Sequence, residues 1–257
     1  MKSLPMLALA AAVTASSAPA IAAPAQGGTL TVPVITTAFT KSFNPYIDNL
    51  NTVGGMIFEP LAFTNVMQGE TSFRLAESYE YAEDYKSITY TLRDDLQWSD
   101  GEPLTAEDVV YTFDLAGDVA VYDLAGVLAS GLVTKVTKVS EREVRFDLAK
   151  VDSTVHWDLN RYMPLPKHVW EQAGDPATFT NPEAVGSGPV TEIKYVRPQQ
   201  MEICRNPHYY QQDRPYLDCI KYRAFNDNSQ IQPALMSGEI DWGSNFIADV
   251  DKTFVAT

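Results

Sequence analysis

A group of carboxylates around Trp98 is the first place in this sequence where side chains could do chemistry. Asp94 and Asp95 precede the tryptophan, and Asp100 and Glu102 follow it. Two carboxylates beside a ring could serve as the acid and base of a secreted glycoside hydrolase, which we keep as an alternative. However, an Asp-Gly pair and a nearby helix cap explain the same residues without catalysis, so we interpret the group as a solvated turn.

Other patterns that support catalysis or metal binding do not occur in the sequence. The three histidines, His156, His168 and His208, are too scattered to form a metal-binding pair, and no H-E-x-x-H or C-x-x-C motif is present. The Gly-Ser-Gly turn at 186–188 is not flanked as a nucleophile elbow, and phosphate-loop and dinucleotide fingerprints are missing. We therefore expect no enzyme activity, no catalytic residues, no metal and no cofactor.

The chain has two cysteines, Cys204 and Cys219, which lie in consecutive segments with strand-like composition. If these segments pair, a disulfide would close a loop of about 15 residues and stabilise the fold by ~3 kcal/mol. Two separately buried thiols fit the spacing equally well, because spacing alone cannot place the sulfur atoms within bonding distance.

Aromatic residues offer a means of binding rather than of catalysis. Several lie in predicted loops or at predicted strand ends, where a ring can stack on a sugar or cover a peptide. These are Phe39, Phe43, Tyr46, Trp98, Tyr209, Tyr210 and Trp242. Since most aromatic residues pack in protein cores, we expect only a minority of these rings to contact a ligand.

Composition and charge define the class of protein that must position these side chains. The 257 residues include 33 acidic and 19 basic ones, which gives a formal net charge of −14 at pH 7. Such acidity argues against binding to nucleic acid or to anionic membranes. Residues 1–22 have the basic start, short apolar run and A-x-A end of a cleaved secretory signal. No cysteine stands at the cleavage point, so we expect an exported protein without a lipid anchor.

Strand and helix signals are mixed along the rest of the chain, without an internal repeat. Apolar alternation and composition predict strands at 30–34, 88–92, 144–148 and 240–242. Thr105, with Asp108 three residues later, predicts a capped helix, and Gly238 predicts the end of another. The mixture indicates an α/β fold of mixed α+β character.

A series of short motifs then resembles one protein family. In chain order these are FNPY (43–46), FEPLAF (58–63), the run from LAESYEY to VVYTF (75–113), PLPKHVWE (164–171), VGSGPV (185–190), RNPHYY (205–210), PYLD (215–218) and LMSGEIDW (235–242). Each motif is weak alone, but the series is highly specific and covers about Leu30 to Trp242. The chain resembles the dipeptide, oligopeptide and nickel group of bacterial solute-binding proteins, solute-binding family 5.

This resemblance implies a fold like that of periplasmic binding proteins of type II. It also implies the periplasmic receptor of an ABC importer, a monomer that closes two lobes around a solute and delivers it to a membrane permease. Residues 23–60 and 185–257 would form part of the first lobe, and residues 61–184 its inserted subdomain. Ser187 and Val190 stand where the family has a threonine and an aromatic residue, which would loosen the packing below that turn.

Family chains are roughly twice as long, so the resemblance predicts that the second lobe is missing and that the sequence is a fragment. The segments around FNPY and GEIDW look closer to the branch that binds β-linked oligosaccharides, although peptides are the usual solutes of the family. The predicted ligand contacts are Phe39, Phe43, Asn44, Tyr46, Trp242 and Asn245. An exported structural protein that binds no ligand is a further alternative.

Overall fold

The structure, a computed structural model, describes residues 25–47 and 55–243. The predicted signal segment and Asn245 lie outside these ranges. Along the chain the strands are β1 (Thr29–Ile35), β2 (Ala62–Asn65), β3 (Glu70–Phe73), β4 (Ala76–Tyr81), β5 (Ser87–Leu92), β6 (Val133–Lys138), β7 (Glu143–Leu148), β8 (Val190–Arg197), β9 (Gln200–Arg205) and β10 (Cys219–Phe225). The helices are α1 (Ala106–Asp118), α2 (Val155–Leu159), α3 (Lys167–Trp170) and α4 (Ile231–Met236).

The first sheet joins the beginning and the end of the described chain. Its four strands have the order β1-β10-β9-β8, and β1 runs parallel to β10 while the other pairs are antiparallel. Val32 and Val34 of β1 are buried, as the alternation predicts. Pro33 fits because β1 lies at the sheet edge, where a missing N–H disrupts no second ladder. Cys204 and Cys219 lie directly opposite each other on β9 and β10 and form a disulfide.

The second sheet is antiparallel, with the strand order β4-β5-β7-β6. The predicted inward faces of β5 and β7 are buried, which confirms both strand predictions. Helix α1 packs against this sheet, and the ring of Phe113 meets that of Phe146 at a centroid distance of 4.8 Å. A two-stranded hairpin, β2-β3, completes the described sheets.

The stretch around Trp98 is a turn followed by a capped helix, as predicted. The Thr105 hydroxyl accepts a hydrogen bond from the Glu107 N–H at 3.2 Å, and the Asp108 carboxylate accepts one from the Thr105 N–H at 2.9 Å. Asp108 also accepts a hydrogen bond from the Lys167 N–H at 3.0 Å, so one carboxylate links α1 to the start of α3. The polar residues of this stretch therefore have structural roles: they form the turn, cap α1 and connect it to α3.

One hydrophobic core extends through both sheets. It includes Val32 and Ile203 of the first sheet together with Ile88 and Phe113 of the second sheet and its helix. The strands of the first sheet come from 29–35 and 190–225, and those of the other sheets from 62–148. The domain boundaries at residues 60 and 185 stay predictions, because a shared core does not locate a boundary.

Two local expectations differ from the structure. Residues 240–242 do not form a strand; Asp241 contacts the outer edge of β1, donating its N–H to the Thr31 carbonyl at 2.9 Å. This segment is held by the turn at the end of α4 and by the burial of Ile240, and not by a series of hydrogen bonds to a neighbouring strand. The turn before β8 is closely packed despite its substitutions, with Ser187 and Val190 only 3% and 1% exposed.

Within the described residues, no helix combines the length and the apolar character needed to cross a membrane.

Candidate functional site

The carboxyl ends of β1 and β10 form the edge of the first sheet at which a ligand surface is expected. The two strands are parallel neighbours, and Ile35 lies beside Phe225 at the last paired position. The Thr36 N–H donates to the Phe225 carbonyl at 3.0 Å, after which the two chains diverge into loops. Crevices outside the carboxyl ends of parallel strands are the usual ligand sites of open α/β sheets.

A cavity of about 470 Å³ opens at this edge. Phe225 and Asn226 of the β10 end, Gln199 of the β8–β9 turn and Gln230 before α4 contribute to its lining. The Asn226 N–H donates to the Gln230 side-chain carbonyl at 2.9 Å, which orients that amide. Ile35 adds an apolar surface nearby on the same edge, with 58% of its area exposed. Amide groups beside apolar surface can bind either peptide groups or sugar hydroxyls. We call this edge the solute surface.

The loop after β1 contains four of the predicted ligand contacts, and the structure buries their side chains. Phe39, Phe43, Asn44 and Tyr46 are between 1% and 8% exposed. Their rings and amide therefore support the loop in this chain instead of offering a free face to a solute. Ligand contact at these four positions stays a prediction.

Hydrogen bonds explain why this loop packs inward. The Asn44 amide donates to the Phe179 carbonyl at 2.7 Å and to the Tyr122 hydroxyl at 3.0 Å. The Tyr46 hydroxyl lies 2.8 Å from both the carbonyl and the N–H of Met163. Burial raises the pKa values of Tyr46 and Tyr122 above the ordinary value, so both hydroxyls remain neutral hydrogen-bond donors.

Trp242 is the predicted contact whose ring is accessible, with 55% of its surface exposed. It follows Asp241, which is held at Thr31 in the middle of β1. Within the described ranges, no ring contact joins Trp242 to the aromatic residues of the 39–46 loop. Ligand contact at Trp242 stays a prediction.

The carboxylates near Trp98 have structural partners. Trp98 is fully buried, so its ring is not available for stacking on a sugar. Asp94 pairs with Arg142 at 2.6 Å, and Asp100 lies 2.7 Å from the His168 imidazole. These contacts favour the interpretation of this segment as a structural turn.

No sequence pattern points to the residues that form the solute surface. Ile35, Phe225, Asn226 and Gln230 carry no motif, and each is ordinary in its local segment. The signal that identifies them is the parallel pairing of β1 with β10, two strands separated by most of the described chain.

Comparison with solved structures defines the class of protein. The substrate-binding protein CtaP of an ABC transporter from Listeria monocytogenes has a TM-score of 0.74 and 26% identity, over 90% of this chain and 47% of that one. A mannohexaose-bound periplasmic oligopeptide-binding protein from Thermotoga maritima has a TM-score of 0.77 and 25% identity, over 89% and 44%. The fold is that of periplasmic binding proteins of type II.

The family follows from the sequence. Residues 70–256 match the family described as bacterial extracellular solute-binding proteins, family 5, middle region, and the chain belongs to this family. A Brucella ovis protein whose name describes a peptide-binding protein of an ABC transporter is 33% identical over 251 residues, 92% of this chain and 46% of its own length. The oligopeptide-binding protein OppA of Bacillus subtilis is 26% identical, over 83% of this chain and 42% of its own. The chain thus spans about half the length of these relatives.

Proposed function

We propose that this chain provides part of the solute-capturing receptor of a bacterial ABC importer. The observation that carries the proposal is the family match over residues 70–256, together with an open cavity at the carboxyl ends of β1 and β10. The receptor acts as a monomer in the periplasm after cleavage of the 1–22 signal, without a lipid anchor, and delivers its solute to a membrane permease. It performs no catalysis.

Oligopeptides are the favoured solute class. The Brucella ovis and Bacillus subtilis relatives carry the names of peptide-binding and oligopeptide-binding proteins. The side chains of Asn226 and Gln230 at the cavity have both donors and acceptors, which matches the alternating N–H and carbonyl groups of a peptide.

Oligosaccharides are the second candidate class, favoured by the exposed ring of Trp242. Sugar rings stack on exposed aromatic side chains, and the Thermotoga maritima neighbour was solved with mannohexaose bound. The two classes therefore predict different energetic roles for Trp242.

Calorimetry separates these candidates. The purified protein is titrated with a mixture of short peptides and, separately, with mannohexaose. We expect Gln230→Ala to weaken binding of either solute by about tenfold, the loss of one hydrogen bond between the Gln230 amide and the solute. Trp242→Ala should weaken mannohexaose binding by a similar factor and leave peptide binding nearly unchanged.

Trp157→Ala is the matched control, because Trp157 is also a partly exposed tryptophan, 39% accessible, but lies on α2. It should leave both affinities unchanged. If the protein bound neither peptides nor oligosaccharides, the receptor proposal would fail. Hydrolysis of a chromogenic glycoside, lost in Asp100→Asn, would instead establish the glycosidase alternative.

A further inference from the structure

A second cavity lies at the edge of the first sheet opposite the solute surface. It has a volume of about 510 Å³ and is lined in part by Pro189, Tyr216 and Leu217. Pro189 directly precedes β8, and Tyr216 and Leu217 precede β10. Because β9 is antiparallel to both strands, β8 and β10 start at the same edge. This cavity is therefore separate from the one at the carboxyl ends.

A buried carboxylate forms part of the cavity lining. Glu59 is 5% exposed, and one of its oxygens, Oε1, accepts a hydrogen bond from the Tyr209 hydroxyl at 2.9 Å. The other oxygen, Oε2, is also buried, and no group among the described residues donates a hydrogen bond to it. The Tyr210 hydroxyl lies near enough to lower the pKa of the carboxyl but does not reach hydrogen-bond geometry at Oε2. Burying a carboxylate oxygen without a hydrogen-bond donor costs free energy, so a ligand that supplies an N–H or O–H group to Oε2 would be stabilised here.

Two arginines line the same cavity. The guanidinium of Arg74 lies 5.0 Å from the centre of the Phe63 ring, and that of Arg214 lies 4.4 Å from the centre of the Tyr216 ring. The Nε of Arg74 is buried and has no hydrogen-bond partner in the described part of the chain. Stacking on a ring fixes the plane of a guanidinium, and a fixed guanidinium suits a carboxylate.

The remaining lining is largely apolar. Met56, Phe63 and Leu217 contribute to it, and the volume lies within the usual range for small-molecule sites, roughly 300–1,000 Å³. The cavity thus combines a carboxylate acceptor, two guanidinium donors and an apolar wall. An apolar α-amino acid has the complementary groups, an ammonium, a carboxylate and an aliphatic side chain.

We propose that this cavity binds a free apolar α-amino acid, with its ammonium group at Glu59 Oε2, its carboxylate at Arg74 and Arg214, and its side chain against Met56 and Leu217. A simple anion would satisfy the arginines and leave Glu59 Oε2 without a donor. A simple amine would face two guanidinium groups of the same charge. The zwitterion provides a carboxylate for the arginines and an ammonium group for Glu59, which neither the anion nor the amine can do alone.

Three related compounds test the zwitterion directly. L-leucine, 4-methylpentanoate, which lacks the ammonium group, and 3-methylbutylamine, which lacks the carboxylate, are titrated into the purified protein by calorimetry. We expect L-leucine to bind and each analogue to bind at least about tenfold more weakly, since each loses a charge-assisted hydrogen bond. No binding of L-leucine, or equal binding of 4-methylpentanoate, would overturn the proposal.

Two arginine variants test whether L-leucine binds in this cavity. Arg214→Gln changes an exposed residue and should weaken L-leucine binding by at least about tenfold without altering the unfolding temperature. Arg197→Gln is the matched control, because Arg197 stacks on the Tyr195 ring at 5.0 Å but lies at the other end of β8. An equal loss in the two variants would show a nonspecific charge effect and overturn the assignment.

Glu59→Gln adds a test of the ammonium contact. It should weaken L-leucine binding while leaving 4-methylpentanoate binding unchanged, and circular dichroism checks that this buried variant folds. If Glu59→Gln lowered both affinities equally, the ammonium would not lie at Glu59. Gln230→Ala, at the solute surface, should leave L-leucine binding unchanged, so failure here is distinct from failure of the receptor function.

Discussion

At the residue scale, a few buried polar side chains connect segments that are distant in sequence. Asn44 links the loop after β1 to Tyr122 and to the carbonyl of Phe179. Asp108 joins two helices, and Glu59 joins the chain before β2 to Tyr209. Such groups cost free energy unless they are hydrogen-bonded, so each one specifies a particular arrangement of the segments around it.

Glu59 gives a prediction about pH. Burial is the main effect and raises the folded-state pKa of its carboxyl above the ordinary 4.5, against the hydrogen bond from Tyr209 and the charges of Arg74 and Arg93. The folded state then binds the proton more tightly than the unfolded state. The contribution of Glu59 to stability is therefore greatest below pH 4.5 and falls as the pH rises through the folded-state pKa.

Glu59→Gln removes this titration and keeps the shape of the side chain. We expect the difference in unfolding free energy between the variant and the wild type to shift in favour of the variant as the pH rises from about 4 to 7. Urea unfolding at several pH values measures this difference. A difference that is independent of pH would show that the folded-state pKa is not raised.

At the element scale, the two threonines that precede α1 and α2 differ in whether their side chains cap the helix. Thr105 caps α1 with its side chain, whereas Thr154 makes no such bond to α2 and its hydroxyl instead donates to the Asp152 carboxylate. The first threonine starts a helix of 13 residues that covers the second sheet. The cap therefore contributes to the stability of the whole layer.

Thr105→Ala should lower the unfolding free energy by about 1 kcal/mol, the usual cost of losing a side-chain cap. Thr154→Ala is the matched control and should have a smaller effect, because no helical N–H loses its partner. Urea denaturation of the two variants tests the comparison. Equal losses would contradict the role given to the Thr105 hydroxyl.

The disulfide between β9 and β10 belongs to the same scale. It links cysteines separated by 15 positions, and the double variant Cys204→Ala, Cys219→Ala should lose about 3 kcal/mol of unfolding free energy. Dithiothreitol should lower the stability of the wild type by a similar amount and have no effect on the double variant. A wild type that is insensitive to dithiothreitol under unfolding conditions would contradict this prediction.

At the scale of the whole molecule, a close backbone contact joins the segment before β2 to the turn before β8. The N–H of Gly188 donates to the Ile57 carbonyl at 2.7 Å. A Cβ atom at Gly188 would lie 2.2 Å from the Met56 carbonyl oxygen, and one at Gly186 would lie 2.2 Å from the Ile57 carbonyl oxygen. Glycine is required here because two pieces of backbone, neither of which can yield easily, approach within contact distance.

Gly188→Ala should therefore cost about 3 kcal/mol or more, through displacement of packed backbone. Gly117→Ala is the control, because a Cβ at this helical position meets no atom within 4 Å beyond the adjacent backbone of its own helix, and the change should stabilise the protein by about 0.5–1 kcal/mol. Thermal and urea unfolding measure both changes. A neutral effect of Gly188→Ala would show that the two segments can separate without cost.

The sequence alone determined the features that depend on neighbouring residues. The strand at 88–92 and the capping box of Thr105 and Asp108 follow from local periodicity and hydrogen bonding, and the ordered motifs indicated the family. Such features are predictable because the residues that decide them lie within a few positions of one another.

Tertiary structure decided what depends on distant partners. It buried Phe43 and Asn44, joined Cys204 to Cys219 through strand register, and placed Phe225 beside Ile35 at the edge where we propose that a solute binds. Single residues looked alike in sequence whether they would face solvent or the core, since only the packing of remote segments determines which surface remains open. The cavity around Glu59 and Arg214 also depends on distant segments, because it lies where the starts of β8 and β10 meet at one edge of the sheet.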